Sequence, residues 1–317
     1  MSKKILVTGC AGFIGSNLVD FFLKKNYSII GIDNLSTGKI EFLDKALKNK
    51  KFIFVKEDLL KYPKIEKFFS NVKLVIHLSA NADVRHGPKH PRKDLKQNLI
   101  VTSNILEAMR INGVKKIVFS STGSVYGEAK EFPTPEDTFF PVQTSFYGSS
   151  KLSAEALISA YAYAFGIKCW IFRFVSVLGP RYTHGHVIDF YKKIITKRKT
   201  INVLGNGNQK KSYIHVFDCI NAIYKSLKHF TDNINIINIG HDNFITVKKS
   251  LKKIKTLMQS KQTAIYQNYT RGWIGDNPYI HLDIKKIKKT GWKPKIKILD
   301  AIEDTVNFIK NNKWILK

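Results

Sequence analysis

Short apolar runs alternate with longer amphipathic stretches along the first half of the chain. The runs are rich in Ile, Val, Leu and Phe, which indicates strands that are buried on both faces of a sheet. They lie at residues 5–7, 28–32, 52–55, 73–77, 116–119 and 168–174. Apolar positions recur at helical spacing at 16–25, 97–111 and 146–165. A strand followed by a helix, repeated along the chain, predicts the α/β class with a doubly wound parallel (Rossmann) sheet.

This rhythm loosens beyond residue 174, where glycine and proline residues mark loops. Further helices are predicted near 187–198, 216–229 and 299–312. The apolar run 236–239 has the pattern of one more strand of the large sheet. We therefore expect a Rossmann domain at 1–172, completed by 212–240. A smaller, partly interleaved C-terminal lobe is expected at 173–211 and 241–317.

A glycine-rich loop, TGCAGFIG at 8–15, joins the first predicted strand to the first predicted helix. Gly9 allows a tight turn, Gly12 lets a pyrophosphate approach the helix N-terminus, and Gly15 lets helix and strand pack closely. Asp33 ends the second strand, where its carboxylate would bind the adenosine ribose hydroxyls and repel a 2′-phosphate. The loop and the acid together predict a dinucleotide site that selects NAD over NADP.

Three Tyr-x-x-x-Lys pairs occur in the chain, and the spacing alone does not distinguish them. With 13 tyrosines and 46 lysines, chance accounts for roughly two such pairs. The pairs are Tyr126/Lys130, Tyr147/Lys151 and Tyr224/Lys228. The first lies in a predicted loop and the third on an amphipathic surface helix. The middle pair begins a helix beside the run SSTGS at the carboxyl end of a predicted strand, where doubly wound folds bind ligands.

The middle pair is a candidate acid–base site. A spacing of four residues places Tyr147 and Lys151 on one face of a helix. A free tyrosine has a pKa of about 10, and an ammonium and a positively charged nicotinamide nearby favour the phenolate. Lowering the pKa to about 7 requires roughly 4 kcal/mol of differential stabilisation. Thr122 is placed to hydrogen-bond the reacting hydroxyl.

Motifs along nearly the whole chain resemble those of the extended short-chain dehydrogenase/reductase superfamily, and within it the NAD-dependent sugar-nucleotide epimerases and dehydratases. They read TGCAGFIG, IDNLSTG, EDL, HLSANADVR, QN, FSSTGSVYG, YGSSK, RFVSVLGPR, GNGNQKKSYIHVFD and RGWIGD. The resemblance implies an enzyme that binds NAD in the Rossmann domain and a nucleotide sugar in the smaller lobe. In that family Tyr147 would be the base, Lys151 the ligand of the nicotinamide ribose, and Thr122 the partner of the substrate hydroxyl.

The resemblance also implies binding residues. Asp58 and Leu59 match adenine-site residues, Asn98 matches the asparagine beside the active site, and Arg271 matches a ligand of the substrate pyrophosphate. The implied cofactor residues are Gly9, Gly12, Phe13, Ile14, Gly15, Asp33, Asn34, Ser36, Gly38, Asp58, Leu59, Leu78, Ser79, Ala80, Asn98, Ser120, Tyr147, Lys151 and Phe174. The implied substrate residues are Arg85, Thr122, Ser124, Ser176, Lys211 and Arg271.

Departures from the family patterns narrow the expected reaction. The 4,6-dehydratases carry an Asp-Glu pair directly after the residue matching Thr122, where this chain has Gly123 and Ser124. The glucuronate decarboxylases carry a Glu in place of Ser124, and we find no counterpart of the Cys/His pair of the fucose-synthase-like enzymes. The resemblance therefore implies a 4-epimerase, with UDP-glucose and UDP-galactose as the default pair. Ser176 and Lys211 stand where Asn and Arg are common, so epimerisation of a uronate or of a CDP- or GDP-linked sugar stays an alternative.

The formal net charge of +29 raises a rival from a different class, a basic NAD-binding regulator that contacts nucleic acid. The excess is almost all lysine, whereas recognition of phosphates and bases leans on arginine. We therefore expect a solvated lysine surface and no specific nucleic-acid partner.

Several absences bear on compartment and cofactors. Cys10, Cys169 and Cys219 are few and far apart, which favours a reducing compartment over a disulfide framework. No apolar run reaches the length of a membrane span, and the one near the N-terminus is too short for a signal peptide. His184 and His186 have no visible third ligand, so no metal is expected. We expect a cytoplasmic enzyme that does not bind membranes, and the family resemblance implies a homodimer.

Overall fold

The computed structural model describes residues 4–81, 83–85, 87–138, 142–196 and 198–316. The strands are β1 Lys4–Thr8, β2 Ser28–Asp33, β3 Phe52–Lys56, β4 Leu74–His77, β5 Lys116–Thr122, β6 Lys168–Phe174, β7 Ser176–Leu178, β8 Thr200–Val203, β9 Lys210–Lys211, β10 Tyr213–His215, β11 Ile234–Ile239, β12 Ile245–Thr246, β13 Thr263–Tyr266 and β14 Tyr279–Ile280. The α-helices are α1 Phe13–Lys24, α2 Asp44–Leu47, α3 Tyr62–Ile65, α4 Pro91–Asp94, α5 Val101–Ile111, α6 Phe146–Phe165, α7 His186–Ile195, α8 Val216–His229, α9 Val247–Leu257, α10 Lys285–Lys288 and α11 Ile298–Asn311. A π-helical segment, Leu95–Ile100, joins α4 to α5, and 3₁₀ turns lie at Ile40–Leu43, Glu66–Phe69, Gly123–Tyr126 and Lys313–Leu316.

A seven-stranded sheet carries the fold, with its strands in the order β3-β2-β1-β4-β5-β6-β11. Every neighbouring pair in it is parallel. The strand order reverses between β1 and β4, which is the switch point where doubly wound sheets bind ligands beyond the carboxyl ends of their strands. The predicted α/β Rossmann fold is confirmed.

Side chains alternate between the two faces of this sheet because successive residues of a strand point in opposite directions. Ile5 and Val7 of β1 belong to one apolar core, which also contains residues of α1, α8 and α11. Leu6 belongs to the other core, which also contains residues of α5 and α6. Both faces are covered by helices, and this explains why the strands read as continuous apolar runs.

Small sheets lie outside the large one. They comprise the pair β10-β7, the three strands β12-β9-β14 and the pair β13-β8. β11, which contains the predicted strand 236–239, returns to the large sheet beside β6. The division of the chain into two interleaved domains stays a prediction.

The structure differs from the sequence-based boundaries in informative ways. α1 begins at Phe13 rather than at residue 16, since Gly12 serves as its N-cap. The helix predicted at 97–111 is the end of a longer helical stretch that starts at Pro91 and passes through the π-helical segment. β5 runs on to Thr122 instead of ending at residue 119, so the hydroxyl-bearing residues belong to the strand itself.

Candidate active site

The glycine loop between β1 and α1 is built as the sequence pattern predicts. Gly9 has φ +69°, and a Cβ there would lie 2.8 Å from the backbone nitrogen of Ser79. A Cβ on Gly15 would lie 2.0 Å from the carbonyl oxygen of Gly9, so only glycine lets α1 pack this closely on the loop. Gly12 caps α1 without a side-chain hydrogen bond. Because no side chain occupies the backbone N–H groups of the first turn, they are available to bind an anion.

Asp33 ends β2 next to this loop. Its Oδ2 accepts from the backbone N–H of Ala11 at 3.0 Å, and its Oδ1 accepts from that of Leu35 at 2.8 Å. Burial raises the pKa of Asp33, and these two N–H groups oppose the shift. A Cβ on Gly38 would lie 2.9 Å from Oδ1, so glycine keeps this side of the carboxylate open. The loop and the oriented acid fit the pyrophosphate and adenosine ribose of NAD.

A buried hydroxyl–imidazole chain connects β1 to the π-helical segment. Thr8 Oγ1 lies 2.8 Å from His77 Nδ1, and His77 Nε2 lies 3.0 Å from Thr102 Oγ1. Thr102 Oγ1 donates to the carbonyl oxygen of Asn98 at 2.6 Å, so it accepts from Nε2–H of His77. Burial, with the nearby charge of Lys151, holds the pKa of His77 well below its usual range. The neutral imidazole thus ties the switch point to Asn98.

α6 brings Lys151 to the carboxyl end of β5. Ser145 caps this helix, its Oγ accepting from the N–H of Gly148 at 3.0 Å. Lys151 is 1% exposed, and its Nζ donates to the carbonyl oxygen of Ser120 at 2.8 Å. The ammonium also lies 4.6 Å from the centroid of the Phe119 ring. Burial lowers the pKa of Lys151 to about 7, against the opposing charges of Glu155 and Asp94.

Tyr147 lies one turn before Lys151, with Thr122 as the hydrogen-bond partner of its hydroxyl. Burial raises the pKa of Tyr147 to about 12; Thr122 lowers it and the charge of Asp94 raises it. The lowering to about 7 that the sequence predicts is therefore not produced by the surrounding described residues. Such a lowering would need further positive charge beside the phenol, of the kind that bound NAD would supply.

The other two Tyr/Lys pairs have different surroundings. Tyr126 is 4% exposed and ends a 3₁₀ turn rather than lying in an irregular loop. Its hydroxyl donates to Asn238 Oδ1 at 2.8 Å and accepts from the guanidinium of Arg173 at 2.9 Å, so it belongs to a buried structural network. Tyr224 is half-buried rather than on an open helix surface, because its ring packs edge-on against Phe21 and Phe22 of α1, with centroids 5.4 and 6.0 Å apart. Lys228 lies over the same ring, 4.4 Å from its centroid.

Four of the six predicted substrate residues have separate surroundings: one is ion-paired, two are hydrogen-bonded to each other, and one is exposed. Arg85 pairs with Asp83 at 3.2 Å and with Asp189 of α7 at 2.8 Å. Ser124 accepts from Thr122 Oγ1 at 3.3 Å. Ser176 is exposed at the start of β7.

Asp276 joins the remaining two predicted substrate residues. Lys211 Nζ pairs with Asp276 Oδ1 at 2.8 Å, and burial lowers the pKa of Lys211 while Asp276 opposes the shift. Arg271 pairs with Glu128 and donates to the carbonyl oxygen of Asp276 at 3.1 Å. Both predicted substrate residues therefore already have acidic partners, and their substrate roles stay predictions.

Further predicted cofactor residues line the carboxyl edge of the sheet. The N–H groups of Leu78 and Ser79 donate to Thr8 Oγ1 at 3.2 and 3.3 Å, which fixes the segment that leads to Ala80. Asn34 Oδ1 accepts from the N–H of Ser36 at 3.0 Å. Asp58 Oδ1 accepts from the N–H of Leu60 at 2.9 Å, and Leu59, Phe13 and Phe174 are buried. Ile14 is half-buried in the first turn of α1.

Sequence reasoning missed three polar residues around Asn98. Asp94 is 1% exposed, and its Oδ1 accepts from Asn81 Nδ2 at 2.7 Å. Asn98 Nδ2 donates to Ser150 Oγ at 2.9 Å. The sequence does contain one signal, a carboxylate one helical turn before Asn98, but the helix predicted at 97–111 excludes Asp94 from that face.

The two histidines considered as metal ligands have other surroundings. His186 Nε2 lies 2.8 Å from Ser250 Oγ, and His184 stacks beside Tyr182 with ring centroids 6.2 Å apart. Within the described ranges, no three His, Cys, Asp or Glu side chains are grouped as a metal ion requires. None of the helices described is both long enough and apolar enough to cross a membrane.

Comparison with known proteins agrees with this geometry. Residues 5–240 match the NAD dependent epimerase/dehydratase family. A putative UDP-glucose 4-epimerase of Methanocaldococcus jannaschii is 36% identical over 97% of this chain and 99% of its own length. The structure of a Thermotoga maritima UDP-glucose 4-epimerase with UDP-glucose is 33% identical, covers 98% of this chain and 99% of its own, and has a TM-score of 0.87. The structure of a Bacillus cereus UDP-glucuronic acid 4-epimerase with UDP-glucuronic acid and NAD is 29% identical. It covers 97% of this chain and 99% of its own, and has a TM-score of 0.88.

The chain belongs to the NAD dependent epimerase/dehydratase family. The predictions of family, of an NAD-dependent sugar-nucleotide epimerase and of NAD as cofactor are confirmed. The roles of individual residues stay predictions.

Proposed function

We propose that this chain is a 4-epimerase that interconverts UDP-glucose and UDP-galactose. One observation carries the proposal: Tyr147 meets Thr122 at the carboxyl end of β5, while Lys151 is hydrogen-bonded to Ser120, two residues earlier in the same strand. These contacts support the proposal because a phenol, a hydroxyl and an ammonium come together next to the switch point, where the glycine loop would bind a dinucleotide.

The proposed chemistry is a reversible oxidation at C4 of the sugar. Gly9, Gly12, Gly15 and Asp33 would hold NAD, which would supply a reversible hydride acceptor for either face of C4. Tyr147 takes the proton of the 4-hydroxyl as the C4 hydride leaves, and gives the proton back when the hydride returns. Thr122 holds the reacting oxygen, and Lys151 orders the cofactor side of the site. The cycle consumes no cofactor.

Charge supports a neutral sugar over a uronate. Arg85 is already paired with the carboxylates of Asp83 and Asp189, so a further carboxylate on the substrate would add to an acidic surplus at that position. The alternative has support as well, because Ser176 departs from the usual asparagine and one similar structure is a UDP-glucuronic acid 4-epimerase. A uronate or a CDP- or GDP-linked sugar is therefore the second candidate.

The test is a panel of nucleotide sugars incubated with purified protein and NAD, read by proton NMR. The proposal expects equilibration of UDP-glucose with UDP-galactose at a higher kcat/KM than for any other pair. Faster turnover of UDP-glucuronate would make that sugar the assigned substrate instead. If no nucleotide sugar is turned over, the proposed activity is wrong.

Assembly and compartment belong to the same proposal. We infer a cytoplasmic homodimer; Cys10, Cys169 and Cys219 are buried free thiols, as a reducing compartment would permit. Light scattering coupled to size exclusion would measure the mass against the 36.3 kDa of one chain, and a monomer at micromolar concentration would contradict the dimer.

A further inference from the structure

A buried carboxylate lies beside the proposed catalytic pair and has no part in the chemistry described so far. Asp94 ends α4 and is 1% exposed. Its Oδ1 accepts from Asn81 Nδ2 at 2.7 Å and, weakly, from Asn98 Nδ2 at 3.5 Å. Its Oδ2 has no hydrogen-bond partner among the described residues. Burying an incompletely paired carboxylate is unfavourable, so the position is not explained by stability alone.

The two carboxamides held by Asp94 lead directly to Tyr147. Asn98 Oδ1 accepts from the backbone N–H of Asn81 at 2.8 Å, and Asn98 Nδ2 donates to Ser150 Oγ at 2.9 Å. Ser150 Oγ in turn donates to the carbonyl oxygen of Tyr147 at 2.8 Å. This chain of hydrogen bonds joins the segment after β4 to the first turn of α6.

An ionised carboxylate only accepts hydrogen bonds, which gives Asp94 a specific effect. A carboxamide has nearly the same shape in its two flipped orientations, and the surrounding donors and acceptors decide between them. An acceptor at Asp94 makes Asn81 turn its NH₂ group towards it, and through the longer 3.5 Å contact it favours the same orientation of Asn98. In this orientation Asn98 Oδ1 accepts from the backbone N–H of Asn81, and Asn98 Nδ2 donates to Ser150.

We propose that Asp94 is a positioning residue, which orients the Asn81 and Asn98 carboxamides and, through Ser150, fixes the turn of α6 that carries Tyr147. The inference rests on the proposed epimerase activity, but it concerns the placement of the base and not the identity of the sugar.

The test compares Asp94→Ala with Asp94→Asn. Both substitutions remove the negative charge, and only alanine removes the acceptor oxygen. Asp94→Ala should lower kcat by about 10- to 100-fold, since an ångström of misplacement can cost about 100-fold, with KM within about threefold. Asp94→Asn should restore most of kcat. Full activity in Asp94→Ala would overturn the proposal. An equal loss in Asp94→Asn would also overturn it, because the charge and not the acceptor would then be responsible.

A second pair of variants covers the case in which Asp94→Ala does not fold. Ser150→Ala removes the link between Asn98 and Tyr147 and should show the same selective loss of kcat. Ser149→Ala, at the exposed neighbouring position of α6, is the matched control and should behave as the parent. Parent-like kcat in Ser150→Ala would contradict the proposal.

A crystal structure separates failure of this inference from failure of the proposed function. If the parent turns over no nucleotide sugar, the activity is wrong, but the structural effect can still be measured. Asp94→Ala should lose the contact between Asn98 Nδ2 and Ser150 Oγ, which is 2.9 Å in the parent. An unchanged contact would show that Asp94 does not orient Asn98.

Discussion

The ammonium of Lys151 donates a hydrogen bond to the carbonyl oxygen of Ser120 at 2.8 Å and thereby connects α6 to the carboxyl end of β5. The side chain is almost fully buried, and burial lowers its pKa to about 7. A lysine that is about half-charged near neutral pH is costly to the fold and responsive to nearby charge. The buried position of Lys151 therefore carries a stability cost.

Replacing Lys151 with methionine should abolish activity and yet spare or raise stability. The folded pKa of about 7 lies below the ordinary 10.5, so the cost of burying the charge is fully present below pH 7 and fades as the pH rises towards 10.5. At about 1.36 kcal/mol per pKa unit, the cost exceeds that of losing one hydrogen bond. Thermal melts should show Lys151→Met gaining most over the parent at pH 6 and least at pH 10.

The control for this experiment is Lys96→Met, at an exposed position in the π-helical segment. Its difference from the parent should not change between pH 6 and pH 10. The opposite trend would contradict the prediction. If Lys151→Met loses more stability relative to the parent at pH 6 than at pH 10, burial of the ammonium does not destabilise the fold.

The large sheet was readable from the sequence because both of its faces are buried. Residues 168–174 and 146–165 were predicted with the bounds that the structure gives to β6 and α6. The start of α1 was missed because Gly12 caps it without a polar side chain, so the usual Ser, Thr or Asp signal is absent. α9 was missed because lysines crowd its sequence, although Leu251 and Ile254 keep a helical apolar spacing.

Cofactor choice depends on Asp33. The parent should bind NAD far more tightly than NADP in calorimetric titrations, because the buried carboxylate repels a 2′-phosphate. Asp33→Ala should relax that preference. Asp33→Asn, which keeps an oxygen to accept from the N–H of Ala11 or Leu35, should relax it too while disturbing the loop less. Equal affinities of the parent for the two cofactors would remove the reason for assigning NAD selectivity to this residue.

Gly15 should tolerate no side chain. The Cβ of Gly15→Ala would lie 2.0 Å from a backbone carbonyl oxygen, so α1 must move away from the loop that cradles the pyrophosphate. We expect a lower melting temperature and at least tenfold weaker NAD binding, which corresponds to about 1.4 kcal/mol. Gly113→Ala, where a Cβ meets nothing within 4 Å, provides the control for backbone strain alone. Equal NAD affinity in the two variants would contradict the close-packing argument.

The charge of +29 should have little consequence for nucleic-acid recognition. Binding to duplex DNA, measured by fluorescence anisotropy, should be weak and should vanish by about 0.2 M salt, as expected for nonspecific phosphate contacts. Sequence-selective binding that survives that salt concentration would favour the regulator hypothesis.

The site was only partly accessible from the sequence. Gly9, Asp33 and Thr122 could be proposed from the sequence because a loop, a strand end and a short run of hydroxyls suggest their roles. Asp94 could not be proposed from the sequence, because local spacing does not reveal its contacts with Asn81 and Asn98. The pKa of Tyr147 was also out of reach, since the extent of its burial is a property of the packed fold.

The most direct test of the account is the turnover number of Tyr147→Phe on the nucleotide sugar that the panel identifies, compared with Tyr126→Phe and Tyr224→Phe. Phenylalanine keeps the ring and removes the acid–base group, so Tyr147→Phe should lose about 10²–10⁴-fold in kcat while circular dichroism and NAD binding persist. Tyr126→Phe should act mainly on stability through its bonds to Asn238 and Arg173, and Tyr224→Phe should be nearly silent. Full activity in Tyr147→Phe would contradict the assignment of the base.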